Sequence, residues 1–563
     1  MLRNLRWQIA LAAAGIAVIA GALALLSNRA FEDRPARGGE LVEAVVGAPA
    51  TLHPLLANSP VELDVSRLLF SGLTRIDVDG RIQPDLASRW SVSDDGRRYT
   101  FHLRPNAQWH DGEPLDAEDV LVTAWLARDE GDRLGTERNP LAFAWELADV
   151  RALDAHTIEI ELAEPYAPFL EATTLGLVPA HIFGDVPPEQ VARHPASTRE
   201  PVGAGPWRLL QPGGLDAEQI RLARFDDHWR ADDRAPLLDG VVLRFYPTTQ
   251  DALAALGRRE VQSLGGLGPQ ELDRLGPDVT QHNAVMADYT LVFLNPAKQL
   301  FTESSVRRAL AMGLDRAGII AGNDLLAGQA VEADGPIAPG PWGASLASTR
   351  GETAVLEHDP EGARTILEEA GWIDSDGDAV RDRDGRPLRF ALEAYNEPLS
   401  RRIAERMRDD WAAIGVDVEL RLQSQPNMVR ALSDRAYDAA LYGVAARFGY
   451  TPDPYAMWHS SQARSGQNFA AWSNEETDAI LEALRTTPPD QTATLRALYG
   501  RLEEIFRNEQ PALLLYHPVY TYVTVDPALG GVELPRLMAR PADRYATMPN
   551  WFLRTERIFL GER

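Results

Sequence analysis

The chain has 563 residues, 45% apolar and 25% charged, a composition typical of folded globular proteins and a length that calls for two or more lobes with separate cores. Its formal net charge of -26 sets nucleic acid aside as a partner, because a phosphate backbone needs a concentrated positive surface. With no cysteine there are no disulfides, no thiolate metal site, no cysteine nucleophile and no lipid anchor built on an N-terminal cysteine.

Arg3 and Arg6 precede an almost uninterrupted apolar run, residues 7–26, long enough to cross a bilayer core of roughly 30 Å as a helix. The charges ahead of it favour a cytoplasmic start, although Arg29, Arg34 and Arg37 weaken the asymmetry. An uncleaved membrane anchor is the preferred reading. A cleavable signal peptide is the alternative, since Ala22 and Ala24 form a small-x-small pair at the end of the run. Both place the rest of the chain outside the cytoplasm. Residues 27–40, rich in charge, Pro and Gly, read as a linker, and residues 1–37 are taken together as anchor or signal and linker.

Beyond that point β-rich runs at 41–46, 100–103, 157–162 and 240–246 alternate with helical patterns, which predicts an α/β protein. A helix is expected from Asp116, whose Asp116-x-x-Asp119 start resembles a capping box. Another is expected from Pro360, behind an Asp cap and closed by Gly371. Further helices fit 303–314, 399–414, 474–484 and 492–507. No repeat of 20 to 50 residues supports a solenoid or propeller.

Several motifs suggest chemistry and fall short of it. Asp374, Asp376, Asp378, Asp382 and Asp384 alternate like calcium ligands, but the position that needs glycine for a sharp turn is Ala379 and the one that needs a bidentate Glu is Gly385. A solvated hairpin is the better reading. Gly203-x-Gly205 lacks the third glycine of a phosphate loop and is followed by Pro206, which has no N–H to offer an anion, so a tight turn near a hinge is expected. Trp109-His110-Asp111-Gly112 could be an acid–base cluster, but adjacent residues seldom face one another. A turn with Trp109 packed under a cleft fits better. His53 and His459 have no histidine partner at metal spacing. No nucleotide loop, nucleophile elbow or zinc helix is present, so neither a catalytic residue nor a cofactor is assigned.

The order of elements in residues 69–128 is distinctive. A Gly-Leu-Thr turn is followed by Pro-Asp-Leu-Ala-x-x-Trp, a Ser-Asp-Asp-Gly hairpin, a Thr-Phe-His-Leu-Arg strand, Trp-His-Asp-Gly and a capped helix. This order resembles the family 5 bacterial extracellular solute-binding proteins of oligopeptide, dipeptide and nickel ABC transporters. The resemblance continues through residues 202–209, 242–263, 291–320, 358–372, 403–420, 437–453 and 506–517, about nine-tenths of the chain. It implies a two-lobe clamshell with an extra subdomain. The first lobe would take residues 38–292 and 524–563, and the second 293–523. It also implies ligand capture by hinge closure without chemistry, ABC permease subunits as partners, and a monomer.

Residues 443–458 join a β-like run to an aromatic loop, the kind of strand end where α/β lobes form crevices. In peptide-binding relatives the corresponding segment carries an aspartate for the ligand's α-ammonium group. Here the span offers Arg447, and the first acid is Asp453. If Arg447 faces the cleft, the favoured ligand group changes sign, from a cation to a carboxylate or another anion. The candidate ligand-binding residues are Trp109, Arg447, Phe448, Tyr450, Asp453, Trp458 and Trp472. Of the aromatics Tyr442, Phe448, Tyr450, Tyr455, Trp458, Phe469 and Trp472, about three are expected to meet ligand, because rings give contact area with little rotamer entropy. A short peptide is the first-choice solute. A membrane-tethered sensor built on the same module is the principal alternative, and a hydrolase a remote one.

Overall fold

The computed structural model describes residues 31–128, 134, 138–210, 218–230, 235–333, 335–338, 356–446, 448–488 and 491–559, with Gly15. The expected membrane segment 7–26 and the candidate Arg447 lie outside the described residues. No helix among the described residues is long and apolar enough to cross a membrane.

The α/β expectation is realised as two lobes joined through one thirteen-stranded sheet. Its centre in the first lobe is a parallel pair, Glu40–Val46 beside Gly240–Tyr246, in register over all seven residues of each strand. Its centre in the second lobe is Tyr289–Leu294, flanked by Ala439–Val444 and by Ala512–Thr524. That last strand, 13 residues long, belongs to both lobes. Its first half pairs with Tyr289–Leu294 and Ala330–Glu332, and its second half with Thr280–Met286 and Ser263–Gly265. The chain therefore crosses twice between these two parts of the sheet, between Met286 and Tyr289 and near Pro518.

The first lobe also carries a separate four-stranded antiparallel sheet, ordered Ala87–Val92, Arg98–Leu103, Thr157–Leu162, Ala148–Asp154. Period-two patterning explains it. Tyr99, Phe101 and Leu103 point inward with Ile158, Ile160 and Leu162 of the neighbouring strand, while the intervening residues face outward. The Ser-Asp-Asp-Gly turn closes this sheet's first hairpin, with Gly96 at φ +68 and its N–H donating to the Ser93 carbonyl.

Helices begin where local caps allow. The Asp119 carboxylate accepts the Asp116 N–H at 2.9 Å and Asp116 accepts from Glu118 at 2.8 Å, starting Ala117–Arg128. Asp359 caps Pro360–Glu369 through Gly362 N–H at 2.8 Å, and Asn474 caps Glu475–Thr486 through Thr477 N–H at 2.9 Å.

Two expectations are corrected. The linker reading of residues 27–40 fails for Phe31–Ala36, which forms a strand antiparallel to Arg554–Phe559. The register sets Asp33 opposite Arg557 and Arg34 opposite Glu556, while the Arg34 guanidinium pairs with Glu32 on its own strand. The Gly203-x-Gly205 turn sits inside the first lobe, against the end of the helix Pro60–Leu69, and not at a crossing. A Cβ on Gly203 would meet the Leu69 carbonyl oxygen at 1.9 Å, and one on Gly205 the Leu68 oxygen at 2.6 Å, so close backbone contact demands both glycines.

Candidate ligand site between the lobes

The strand Ala439–Val444 ends at the boundary between the lobes, where Val444 lies opposite Tyr289. A cavity of about 290 Å³ lies there. Its walls come from Tyr166 of the first lobe, Ala287 and Tyr289 at the first crossing, Ile337, and residues of the 444–457 span with Gln462, Gln467 and Arg485. Phe448 leaves the second lobe to pack into the first-lobe core and meets Tyr166 edge to face, ring centres 6.0 Å apart.

Among the described residues, one pair of opposite charges lines this space. Asp453 Oδ2 accepts the Tyr166 phenol at 3.1 Å and lies 3.3 Å from Arg485 Nε. The Arg485 guanidinium is held between the rings of Tyr166 and Tyr455, 4.9 and 4.4 Å from their centres. Burial, and then the Asp453 charge, push the Tyr166 phenol far above its ordinary range, so it is a permanent donor. Asp453 Oδ1 also accepts the Tyr455 N–H at 3.3 Å. Alanine and proline backbone beside Phe448, Tyr455, Ile337 and Met457 completes a largely uncharged wall.

A second contact crosses the lobes nearby. Glu171, 1% exposed on the short helix Phe169–Ala172, accepts the N–H groups of Gly449, Tyr450 and Thr451 at 3.1, 3.1 and 2.7 Å. Burial raises its carboxyl to about 7, against the opposing pull of Arg540 and of these N–H donors.

Of the seven expected residues, Phe448 and Asp453 line the cavity, and Arg447 lies outside the described residues. The other four are placed elsewhere. Trp109 is fully buried in the first-lobe core beneath its turn, where Gly112 N–H donates to the Trp109 carbonyl and Asp111 accepts from Glu113. Tyr450 turns away from the cavity and packs with Ile76 and Ala539, its hydroxyl donating to the Leu537 carbonyl at 3.4 Å. Trp458 is fully buried in the second-lobe core against Phe506, and Trp472 meets the same ring edge to face while its indole N–H donates to Glu509 at 2.8 Å. The physical reason is that large rings are needed first to fill the interior, Trp109 in the first-lobe core and the others within the aromatic-rich span 442–472. Of the aromatics in residues 442–472, Phe448 and Tyr455 are the two on the cavity wall.

The histidines that suggested chemistry are structural. His110 accepts Gly203 N–H on Nδ1 and sits 3.0 Å from the Gly205 carbonyl through Nε2, and burial lowers its pKa to about 4, so it stays neutral. His53 is buried, its pKa lowered to about 3, and its Nδ1 accepts Leu55 N–H. His459 stacks on Tyr455 and binds Ser461. In the acidic loop, Asp374, Asp376 and Asp378 gather within 4.8 Å, but each turns back on loop amides: Gly377 and Ala379 donate to Asp374, Asp378 to Asp376, and Val380 to Asp378.

Tyr166, Glu171, Tyr289 and Arg485 were missed in the sequence. Glu171 had a usable signal, as the single charge in the otherwise uncharged run 165–180. Arg485 had none, because a basic residue in the last turn of a helix is ordinary.

A family model, bacterial extracellular solute-binding proteins, family 5 (middle), matches residues 81–467, more than half of the chain. The chain belongs to family 5. This family 5 protein is 24% identical over 492 residues to the oligopeptide-binding protein AppA of Bacillus subtilis, covering 86% of this chain and 87% of that one. It is 26% identical over 510 residues to the dipeptide-binding protein of Escherichia coli, covering 85% and 89%. Among solved structures, HbpA2 from Haemophilus parasuis superposes with a TM-score of 0.76 at 20% identity, covering 92% of this chain and all of that one, which shows the shared two-lobe fold. This family 5 protein is thus a solute-binding protein.

Proposed function

We propose that this protein captures a short peptide of two or three residues, or a related small organic solute, and delivers it to the permease of an ABC importer. The observation that carries the reading is the cavity between the lobes, walled by rings and one balanced Asp453–Arg485 pair. Its volume of about 290 Å³ leaves room for a small organic solute. Adjacent opposite charges suit a zwitterion, and Phe448, Tyr455 and Ile337 accept varied side chains by burial. The names of the peptide-binding relatives agree with this class.

The remaining parts of the reading rest on the sequence. The resemblance gives residues 38–292 and 524–563 to the first lobe and 293–523 to the second, with hinge motion between the lobes. Residues 7–26 tether a monomer to the outer face of the cytoplasmic membrane. The protein alters no bond in its ligand. Arg447 stands in sequence between Ala446 and Phe448, both on the cavity wall, and biases the site toward a carboxylate.

Native mass spectrometry of protein purified without denaturation tests this directly, with calorimetric titration of di-, tri- and nonapeptides. Retained solute of dipeptide or tripeptide mass, and tighter binding of the short peptides, are expected. No binding of any peptide, together with a retained non-peptide solute, would overturn the peptide assignment. Unchanged affinity of Arg447→Ala for anionic ligands would remove the Arg447 contribution.

A further inference from the structure

We infer that Glu171 is the latch of the closed form, a residue that never touches the solute and yet sets how long it is held. This rests on the solute-capture reading and adds the element that stabilises closure.

Three observations place the latch. A single buried carboxylate of the first lobe takes three consecutive backbone N–H groups of the second, at Gly449, Tyr450 and Thr451, using both of its oxygens. In this latch the strip 449–451 travels with the second lobe, so that opening separates the partners and the contacts belong to the closed form. Carboxylate burial is costly unless donors replace the lost water, and here the other lobe supplies all three of the donors to Glu171 among the described residues. Charged groups facing it are Arg540, which favours the carboxylate, and Asp543, which opposes it.

Gly449 is matched to this arrangement. A Cβ there would lie 2.5 Å from the Ala539 Cβ and 2.9 Å from the Ala287 Cβ, so the strip closes against two alanines with no room for a side chain. That close seating brings backbone N–H groups directly onto a carboxylate rooted in the other lobe.

The strip that Glu171 grips is also the wall of the cavity, where Phe448, Gly449 and Asp453 are exposed to its interior. Solute on one side and Glu171 on the other stabilise the same placement of residues 448–453. Each must therefore strengthen the other by the same factor, because coupling between two sites is reciprocal. An amide cannot replace the carboxylate: glutamine offers one acceptor oxygen, and its NH₂ group would be set against a donating backbone N–H.

The test uses the full chain, whose lack of cysteine allows spin labels on Glu118→Cys and Ala493→Cys, exposed positions on opposite lobes. Interlobe distances are measured with and without saturating trialanine, in otherwise wild-type protein and in Glu171→Gln. The variant is expected to keep its ligand-free melting temperature, to lose most of the closed population, and to release trialanine at least about tenfold faster. A closed fraction and release rate equal to wild type would overturn the latch. Should Glu171→Gln fail to fold, Gly449→Ala decides, since it must open the lobes if this seating is the closed state and leaves them closed if it is not. A wild type that closes without regard to trialanine, while Glu171→Gln opens, upholds the latch and counts against the peptide assignment alone.

Discussion

The Tyr166 hydroxyl donates to Asp453 Oδ2 at 3.1 Å, a bond between residues 287 positions apart that joins the two lobes at the cavity wall. The phenol cannot ionise in the working pH range, because burial and the neighbouring carboxylate both favour its neutral form. Tyr166→Phe keeps the ring against Phe448 and Arg485 and removes only this bond. Affinity for a bound peptide is expected to fall about fivefold, corresponding to about 1 kcal/mol, in calorimetric titration. Asp453→Ala is expected to cost more, since it strips Arg485 of its carboxylate between two rings.

Trp458 and Trp109 are expected to affect folding and not ligand choice. Each is fully buried in the core of one lobe. Alanine at either position should cost about 3–5 kcal/mol of stability, read as a lowered denaturant midpoint. Phe448→Ala, by contrast, should chiefly weaken binding, because that ring bridges the lobes at the cavity.

Arg544 anchors the C-terminal return to the first lobe. Its guanidinium donates to Glu43 at 2.7 Å and to Asp64 at 2.6 Å, all three fully buried, and the hydroxyls of Tyr522 and Tyr545 complete the bonding of Glu43. Removing one partner of such a set leaves uncompensated charge. Arg544→Leu is expected to destabilise the protein by about 3–5 kcal/mol in denaturant melts, with the first lobe unfolding ahead of the second.

The same network gives stability a pH dependence. Burial raises Asp64 from its ordinary 3.8 to about 6, although Arg544 pulls the other way. The folded state then holds a proton that the unfolded state gives up. The stabilising contribution is present in full below pH 3.8 and declines as pH rises toward 6. Asp64→Asn should flatten that slope in melts recorded between these values. An undiminished slope would place the titration elsewhere.

Much of the fold was legible because its determinants are local. The strands at 40–46 and 240–246, the alternating strands around Phe101 and Ile160, and the helices capped by Asp359 and Asn474 all follow from side-chain period and cap chemistry within a few residues. The motif order in residues 69–128 likewise placed the chain in its family. Phe448 and Asp453, which line the cavity, sit in the loop leaving a central strand, where the sequence pattern expects a crevice.

What the tertiary structure alone decided is which groups face one another across the lobes. Local pattern cannot tell a ring that fills a core from one that lines a cavity, so Trp458 and Trp472 look like Phe448 until the chain is folded. Nor can it pair Glu171 with the amides of residues 449–451, or Tyr166 with Asp453, because those contacts depend on the relative placement of segments nearly 300 positions apart. Sequence fixes the elements through short-range sterics and hydrogen bonding. Binding depends on the long-range packing that closes one lobe upon the other.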